Sequence, residues 1–523
     1  MTGSPPSVAP DVLRRQAREA PDRPALIVDR GAGEPNHPMT FAQWDRRSDG
    51  LAAALLERGL RKGERVALAF ENVDAERFYV SYFAVAKAGG VSVPVGARLA
   101  EAEIGAILRH AEPSFAIGGD AQLEALRASV PAWRLWGPDD LDAAMLRDAD
   151  PPSNPPLPGD LCDILYTSGT TGTPKGVCST HAGLVTIRAG ALKLFAGRAF
   201  VHAVPVHTFA GTHAMQYLPL RAGMTSVVMH RFDAARYIEL LAAHRAAASY
   251  AVPAMLRLAL DAWDARSPAG RPDLGPLALL MFGASAMPPS TLARLPELFP
   301  EAALVNLYAS TETGSGSCAM PAGEAERHPG SVGVPVPPTE IRIVVASVAG
   351  STQDAATGEV GEVWIRGPGP GRVYYKDPEA TARTFVEEGW VRTGDLGHLD
   401  AEGYLYLDGR QKELVNRGGL KIFVDELDAL LAAHPAVCEA AVAGIPHAVL
   451  GEDLAAFVVL RAGADVQPDD LRSYLLRSVA DYKVPRHWGF IETLPRNSMG
   501  KVVRRELVAR HSDALRLIGG SRD

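Results

Sequence analysis

Two kinds of apolar pattern alternate through roughly the first 400 residues, and this alternation restricts the fold more than any other feature. Short strand-type runs occur at "DRPALIVD" (22–29), "ERVALAF" (64–70) and "GVSVPV" (90–95). Around them lie "FAQWDRRSDGLAAALLERGL" (41–60) and "ERFYVSYFAVAKAG" (76–89), where apolar residues recur at helical spacing. The stretch "DAARYIELLAAHRAAASYAVPAMLRLALD" (233–261) repeats the theme as helix, strand, proline and helix, with Asp233 as a helix N-cap. This βαβα order predicts an α/β chain, its sheets covered by helices.

After about residue 335 the texture changes. "PTEIRIVV" (338–345), "GEVGEVWIRGPG" (358–369) and "GYLYLDGR" (403–410) are short strands punctuated by glycine, as in a small β-rich subdomain. A charged, glycine-ended junction, "GRQKELVNRGG" (409–419), precedes a helix and further strands. A domain boundary is therefore expected near Arg410.

Composition excludes several function classes. With 523 residues, the chain can build more than one domain. Its net charge of −8 argues against a nucleic-acid face and an anionic membrane surface. Cys162, Cys178, Cys318 and Cys438 are far apart, as expected of reduced thiols in a cytoplasmic protein. The N-terminus has no apolar run ahead of its charges, so no signal peptide is read there, and no run of about 18 apolar residues could span a bilayer.

The segment "YTSGTTGTPKGV" (166–177) holds eight Ser, Thr or Gly residues in twelve. Glycines let backbone N–H groups approach an anion and hydroxyls add donors, so the loop suits phosphate. A Walker loop needs G-x-x-x-x-G-K-[ST] with its lysine opening a helix. Here Pro174 precedes Lys175, and Gly176 stands where a magnesium-binding hydroxyl belongs.

The loop instead resembles that of the adenylate-forming superfamily: acyl-CoA synthetases, peptide-synthetase adenylation domains and firefly-type luciferases. Other motifs of that family follow in order, from about residue 10 to about residue 510. They are "AVAKAGGVSVPV" (84–95), "GASAMP" (283–288), "NLYASTETG" (306–314), "GEVWIRGPG" (361–369), "WVRTGDLG" (390–397), "GRQKELVNRGGLKIFVDELD" (409–428) and "LPRNSMGKVVRREL" (494–507). The resemblance implies a large N-terminal domain (1–409) of two helix-covered sheets plus a small β-barrel-like subdomain. A hinge (410–412) and a small mobile α+β C-terminal domain (413–523) complete it.

It also implies a two-step reaction. A carboxylic acid and ATP give an acyl-adenylate and pyrophosphate, and the thiol of coenzyme A then displaces AMP. Transfer to a carrier-protein thiol or to a nitrogen nucleophile is the alternative. A non-catalytic binder would be expected to have lost Lys501, Glu312 or Asp395, and all three stand. By resemblance Lys501 is the cation that lets the carboxylate approach the α-phosphate, Thr311 contacts that phosphate, and Glu312 and Thr167 bind magnesium. Ser168, Gly169, Thr170, Thr171, Gly172 and Lys175 hold phosphates. Gly283, Ala284, Ser285 and Tyr308 hold adenine, Asn306 binds the nucleotide, Asp395 holds the ribose, and Arg410 adds a second ribose or phosphate contact. Lys412 marks the hinge, and Gly418 and Gly419 line the thiol channel. The oligomer expected is a monomer or homodimer.

The acyl pocket departs from the family pattern Pro-x-Phe-His-x-x-Gly, reading "VPVHTFAGTH" (204–213). Either His207 is the family histidine with a residue missing before it, or Thr208 takes that place. Pocket candidates are His207, Phe209, Gly211, Ser249, Ala251, Gly283, Ala309 and Gly314. They include no evident cation, which favours a monocarboxylic acid. His202, His207 and His213 lack the spacing of a zinc site.

Overall fold

In the computed structural model, the apolar runs form strands and the helical-period runs cover them. The structure describes residues 7–31, 37–167, 175–285, 287–325, 327–346, 352–410, 414–417, 420–447, 449–496 and 502–518. Strands Pro24–Asp29, Arg65–Phe70 and Val91–Gly96 and helices Phe41–Glu57 and Ala75–Lys87 stand where the patterning expects them. The run Val66–Phe70 is buried throughout, which marks a strand covered on both faces. Helix Phe41–Glu57 begins at a reciprocal cap. Thr40 Oγ1 accepts from the Gln43 N–H at 3.2 Å, and Gln43 Oε1 accepts from the Thr40 N–H at 2.9 Å. Asp233 caps Ala234–Ala243, accepting from the Arg236 N–H at 2.8 Å.

Among the described residues the strands form four sheets. One has seven strands, in the order Val373–Tyr374, Lys175–Thr180, Leu161–Thr167, Val91–Gly96, Arg65–Phe70, Phe115–Gly118 and Leu135–Trp136. Its first two strands are antiparallel to their neighbours and the others run parallel. The second sheet has nine strands. In its middle Ala303–Ser310, Leu279–Gly283, Ala248–Ala251, Ala199–His202, Thr225–Met229 and Pro24–Asp29 lie parallel.

Helices Phe41–Glu57 and Ala75–Lys87 fill the space between these two sheets. One apolar core joins Leu68 and Phe70 of the first sheet, Leu26 and Val228 of the second, and Trp44, Phe78, Tyr79 and Phe83 of the helices. The β-rich stretch is a five-stranded antiparallel sheet running from Glu340 to Arg410. A separate core around Trp488 organises the C-terminal strands with helices Val424–Ala432 and Pro468–Leu475. The chain is thus mixed α/β, with a large N-terminal part of several sheets and a smaller C-terminal part. Among the described residues no helix is long and apolar enough to cross a membrane.

Polar groups tie the sheets where apolar packing alone would let them slide. Lys87, from the "AVAKAGG" stretch, is fully buried, with Asp45 and Asp49 carboxylates at 2.6 and 2.8 Å from its ammonium. A buried charge persists only when paired in this way. Asn72 follows a strand of the first sheet and reaches the second. Its Nδ2 donates to the carbonyls of Val204 (3.1 Å) and Met229 (3.0 Å), and its Oδ1 accepts from the Val206 N–H at 3.0 Å.

Two fully buried histidines make the fold acid-sensitive. His181 Nδ1 accepts from the Ala9 N–H, and His202 Nε2 pairs with Ser226. Burial pushes His181 down to about 4 and His202 down to about 3. Both are neutral in the folded chain but take up protons below about pH 6.5 when unfolded. Their contribution to stability is complete above about pH 6.5 and is lost as the pH falls towards 4. The unfolding free energy read from urea titrations should therefore drop steadily below pH 6.5, by about 2 kcal/mol per histidine at pH 5. A His202→Leu variant should lose stability less steeply over the same range.

Candidate active site

Both large sheets end at one cleft. On the first sheet, strands Leu161–Thr167 and Lys175–Thr180 pair antiparallel, with Thr167 opposite Lys175. The glycine-rich segment therefore connects two strands, whereas a Walker loop leads into a helix. Ser168, Gly169, Thr170, Thr171 and Gly172 lie outside the described residues. At the base of the segment the Lys175 ammonium stands 4.9 Å from the centre of the Tyr374 ring. Tyr166, just before it, is held by a 2.8 Å bond between its hydroxyl and His110 Nδ1.

On the second sheet, strands Ala303–Ser310 and Gly314–Ala319 form a hairpin whose turn carries Thr311 and Glu312. Thr311 is buried, and its carbonyl accepts from Arg372 Nη1 at 2.7 Å. Glu312 Oε1 accepts from the Tyr374 hydroxyl at 3.0 Å. Thr313 Oγ1 accepts from the Ser310 N–H at 3.0 Å and closes the turn. Gly314 has a left-handed φ of +84°, and Ala309 is half-buried on the strand before the turn.

The proposed nucleotide residues gather beside this turn. The Tyr308 hydroxyl donates to the Asp395 carboxylate, which the Thr393 hydroxyl flanks by accepting the Asp395 N–H at 3.0 Å. The backbone of Arg410 pairs with that of Asp395. Gly283 ends its strand so close to the next that a Cβ would lie 2.3 Å from the Leu307 carbonyl oxygen. Ala284 follows with φ +71°, rare for a residue with a side chain, and it and Ser285 are exposed. Asn306 turns to the protein, donating to the Ser331 carbonyl at 3.3 Å.

The segment "VPVHTFAGTH" leads into a π-helix, Ala210–Met215. Such widened turns are rare and occur frequently at functional sites. Thr208 is engaged within its own turn. Its hydroxyl donates to the Pro205 carbonyl at 2.8 Å and accepts from the Gly211 N–H at 3.0 Å. A Cβ on Gly211 would lie 2.0 Å from the Pro205 carbonyl oxygen, so this turn requires glycine. His207 is half-buried with no bonded partner for Nε2, and burial, then the nearby Arg98, push it down to about 4. Phe209 packs its ring edge-on against His213, centroids 5.3 Å apart, with the Arg372 guanidinium 5.7 Å from its centre.

Two pocket expectations need correction. Ser249 does not face the cleft: its hydroxyl donates to the Val201 carbonyl at 2.8 Å and shares a 2.7 Å bond with Tyr237. Ala251, two residues on and so on the same face, packs in the core beneath helices Ala234–Ala243 and Pro253–Asp264. Tyr250 points to the opposite face of that strand, in the core with Phe200 and Met215. Arg372, which the sequence reading did not single out, lies beside two of the pocket candidates, Phe209 and Gly314. Its position in "RGPGPGRVYY" gave no periodic signal for this placement.

Sequence reasoning also missed a buried polar group behind Phe209. Asp163 Oδ2 accepts from the Tyr82 hydroxyl at 2.6 Å and from His213 Nε2 at 2.7 Å. All three side chains are fully buried. Burial alone would raise the Asp163 carboxyl; His213, Tyr82 and Arg372 together hold it below its ordinary value. Burial lowers His213 against the pull of Asp163, so the pair is a carboxylate and a neutral imidazole donating through Nε2. A charged residue inside the apolar run "DLCDILY" was the available clue. His202, His207 and His213 have different surroundings, and the described residues contain no group of three or more side chains suited to a metal.

Lys501, Lys412, Gly418 and Gly419 lie outside the described residues. Their neighbours are firmly held. Arg417 and Leu420 pair across a hairpin, and Arg504 donates to Asp425 (2.5 Å) and Asp428 (2.6 Å). Burial, only partly offset by Arg504, pushes the Asp428 carboxyl up to about 7.

Removing one member of the Asp163 group leaves the other buried polar atoms unpaired. Asp163→Ala should therefore destabilise the chain by about 2–6 kcal/mol, about 1–3 for each of the two neutral donors left unpaired, read from urea unfolding at pH 7.5.

The model of the AMP-binding enzyme family matches residues 13–375, and that of the AMP-binding enzyme C-terminal domain matches residues 426–501. The sulfoacetate–CoA ligase of Cupriavidus necator is 30% identical over 94% of this chain and 96% of its own. The fatty acid–[acyl-carrier-protein] ligase ScoC of Streptomyces coeruleorubidus is 30% identical over 94% of each chain. Among solved structures, the o-succinylbenzoate CoA synthetase of Bacillus subtilis with its acyl-adenylate intermediate superposes with a TM-score of 0.82. That match is at 26% identity and covers 95% of this chain and 98% of the other. The same synthetase has been solved with ATP and a magnesium ion. The chain belongs to the AMP-binding enzyme family, along both its N-terminal and C-terminal parts.

Proposed function

We propose that this chain is an AMP-forming carboxylate–CoA ligase. It joins a carboxylic acid to AMP with release of pyrophosphate, then transfers the acyl group to the thiol of coenzyme A, releasing AMP. The observation that carries this reading is the meeting of three motif pairs at one cleft. These are Thr167 with Lys175, Thr311 with Glu312, and Tyr308 with Asp395. Three segments of chain supply them, with Tyr308 and the Thr311–Glu312 turn on one hairpin, and one nucleotide would touch all three.

The chemistry follows from charge. The carboxylate and the α-phosphate repel, so groups that neutralise both lower the barrier, and most of the catalysis is positioning and electrostatics. Lys175 and the glycine-rich segment would bind the departing pyrophosphate, and Thr311 the α-phosphate. Glu312, with one oxygen bonded to Tyr374, keeps the other for a cation. A single carboxylate beside hydroxyls and phosphates suits magnesium, which supplies charge neutralisation when bound. Asp395 accepts from the ribose hydroxyls and Tyr308 lies along the base. Lys501 would neutralise the reacting carboxylate. Gly418 and Gly419 would line the thiol's path. The acid would sit by Phe209, Gly211, Ala309 and Gly314, with Arg372 at its edge.

A second reading keeps the first step and passes the acyl group to a carrier-protein thiol. The likeness to an acyl-carrier-protein ligase favours it as the alternative.

Pyrophosphate release across a panel of carboxylic acids, with mass spectrometry of products with and without CoA, tests both readings. An acyl-CoA formed only when CoA is added is the expected result; no pyrophosphate with any acid would refute adenylation. Lys501→Ala should lower acid-dependent pyrophosphate release by at least about 100-fold, as when a key electrostatic group is removed. The same variant should still transfer acyl groups from supplied acyl-adenylate to CoA, followed by thioester formation.

A further inference from the structure

The two-residue strand Val373–Tyr374 carries none of the family roles assigned above, yet it touches both halves of the phosphate site. It lies at the edge of the seven-stranded sheet, pairing Tyr374 with Val177 and Val373 with Cys178. The next residue continues the tie, with the Tyr375 N–H donating to the Gly176 carbonyl at 2.7 Å. This strand is thus bonded to the one that Lys175 opens.

From that place Tyr374 reaches across to the other sheet. Its hydroxyl donates to Glu312 Oε1 at 3.0 Å, and the face of its ring lies 4.9 Å from the Lys175 ammonium. Arg372, two residues earlier and so on the same side, holds the Thr311 carbonyl at 2.7 Å. The ring itself is fixed. Tyr374 is nearly buried, Phe385 packs edge-on at 5.4 Å, and the Thr381 hydroxyl accepts the Tyr374 N–H at 3.0 Å.

We propose that Tyr374 is a positioning residue that locks the Glu312 carboxylate and the Lys175 ammonium into one unit, so that cation and phosphates meet a preset arrangement. This rests on Glu312 as the cation's carboxylate and Lys175 as a phosphate-binding group. A carboxylate free to rotate must be ordered each time a cation binds. One whose Oε1 already accepts a donor presents Oε2 without that cost. The ring face attracts the ammonium by its quadrupole and keeps it near the base of the glycine-rich segment.

Two variants of the full chain separate the contacts. Tyr374→Phe removes the hydroxyl and keeps the ring; Tyr374→Leu removes both. Binding of Mn2+ in the presence of ATP is read by electron paramagnetic resonance. ATP binding in EDTA is read by calorimetry. Tyr374→Phe should weaken Mn2+ about tenfold and leave metal-free ATP binding unchanged. Tyr374→Leu should also weaken metal-free ATP binding, by about two- to fivefold. In a Glu312→Gln background Tyr374→Phe should add nothing, because the partner it orients is gone. Wild-type Mn2+ affinity in Tyr374→Phe, or an undiminished loss in the Glu312→Gln background, overturns the proposal while leaving adenylation intact. Failure of the wild-type chain to bind Mn2+ with ATP overturns the role of Glu312 and this proposal with it.

Discussion

The cleft depends on a carboxylate that no solvent reaches. Asp163 lies in the seven-stranded sheet, His213 in the π-helix beyond a strand of the nine-stranded sheet, and Tyr82 on a helix between them. One oxygen of Asp163 accepts from both partners. Apolar packing between the sheets is extensive but non-directional, and many small slides would satisfy it nearly as well. A buried charge accepts far fewer arrangements, since misalignment leaves it unpaired at low dielectric. Asn72 adds a second directional link from the same sheet, to Val204 and Val206 in the segment that enters the π-helix.

That alignment explains how distant segments share one site. Thr311 and Glu312 sit on a turn of one sheet, and Lys175 opens a strand of the other. Neither motif reaches the other through its own chain. Contact passes through Tyr374, whose short strand belongs to one sheet, and Arg372 just before that strand; both side chains grip the turn of the other sheet. Rigid scaffolds place reactive groups more accurately than loops can alone. A site assembled across two sheets is accurate only if the sheets are held in register.

The wall beside Phe209 combines an aromatic ring, the Arg372 guanidinium and a neutral imidazole. Burial makes the guanidinium charge costlier, and Asp163 and Glu312 partly compensate it. The sulfoacetate–CoA ligase and the fatty acid–[acyl-carrier-protein] ligase are each 30% identical to this chain, although their names give them different acids. One architecture can serve different acids, because function is set by local side chains.

Much of this was legible from the chain alone. Periodicity located the strands and helices because alternation and helical spacing are local properties. The glycine-rich segment, and the ordered motifs after it, pointed to adenylation through residue types at fixed spacing. Asp233 was recognisable as a cap because capping spans three residues. What stayed hidden depends on contacts between residues far apart in sequence. Ser249 carries a motif position that suits a pocket residue, yet the strand's alternation turns it toward Tyr237. Arg372, unremarkable among glycines and prolines, became a cleft residue only when the strand after it docked beside the hairpin of Lys175. The pairing of Asp163 with His213 spans 50 residues, and that of Tyr374 with Glu312 spans 62. Local pattern specified the elements and the reaction class. The partners of buried charges, and the side chains that face the cleft, were decided by packing, because desolvation and directional bonding act only once the sheets have met.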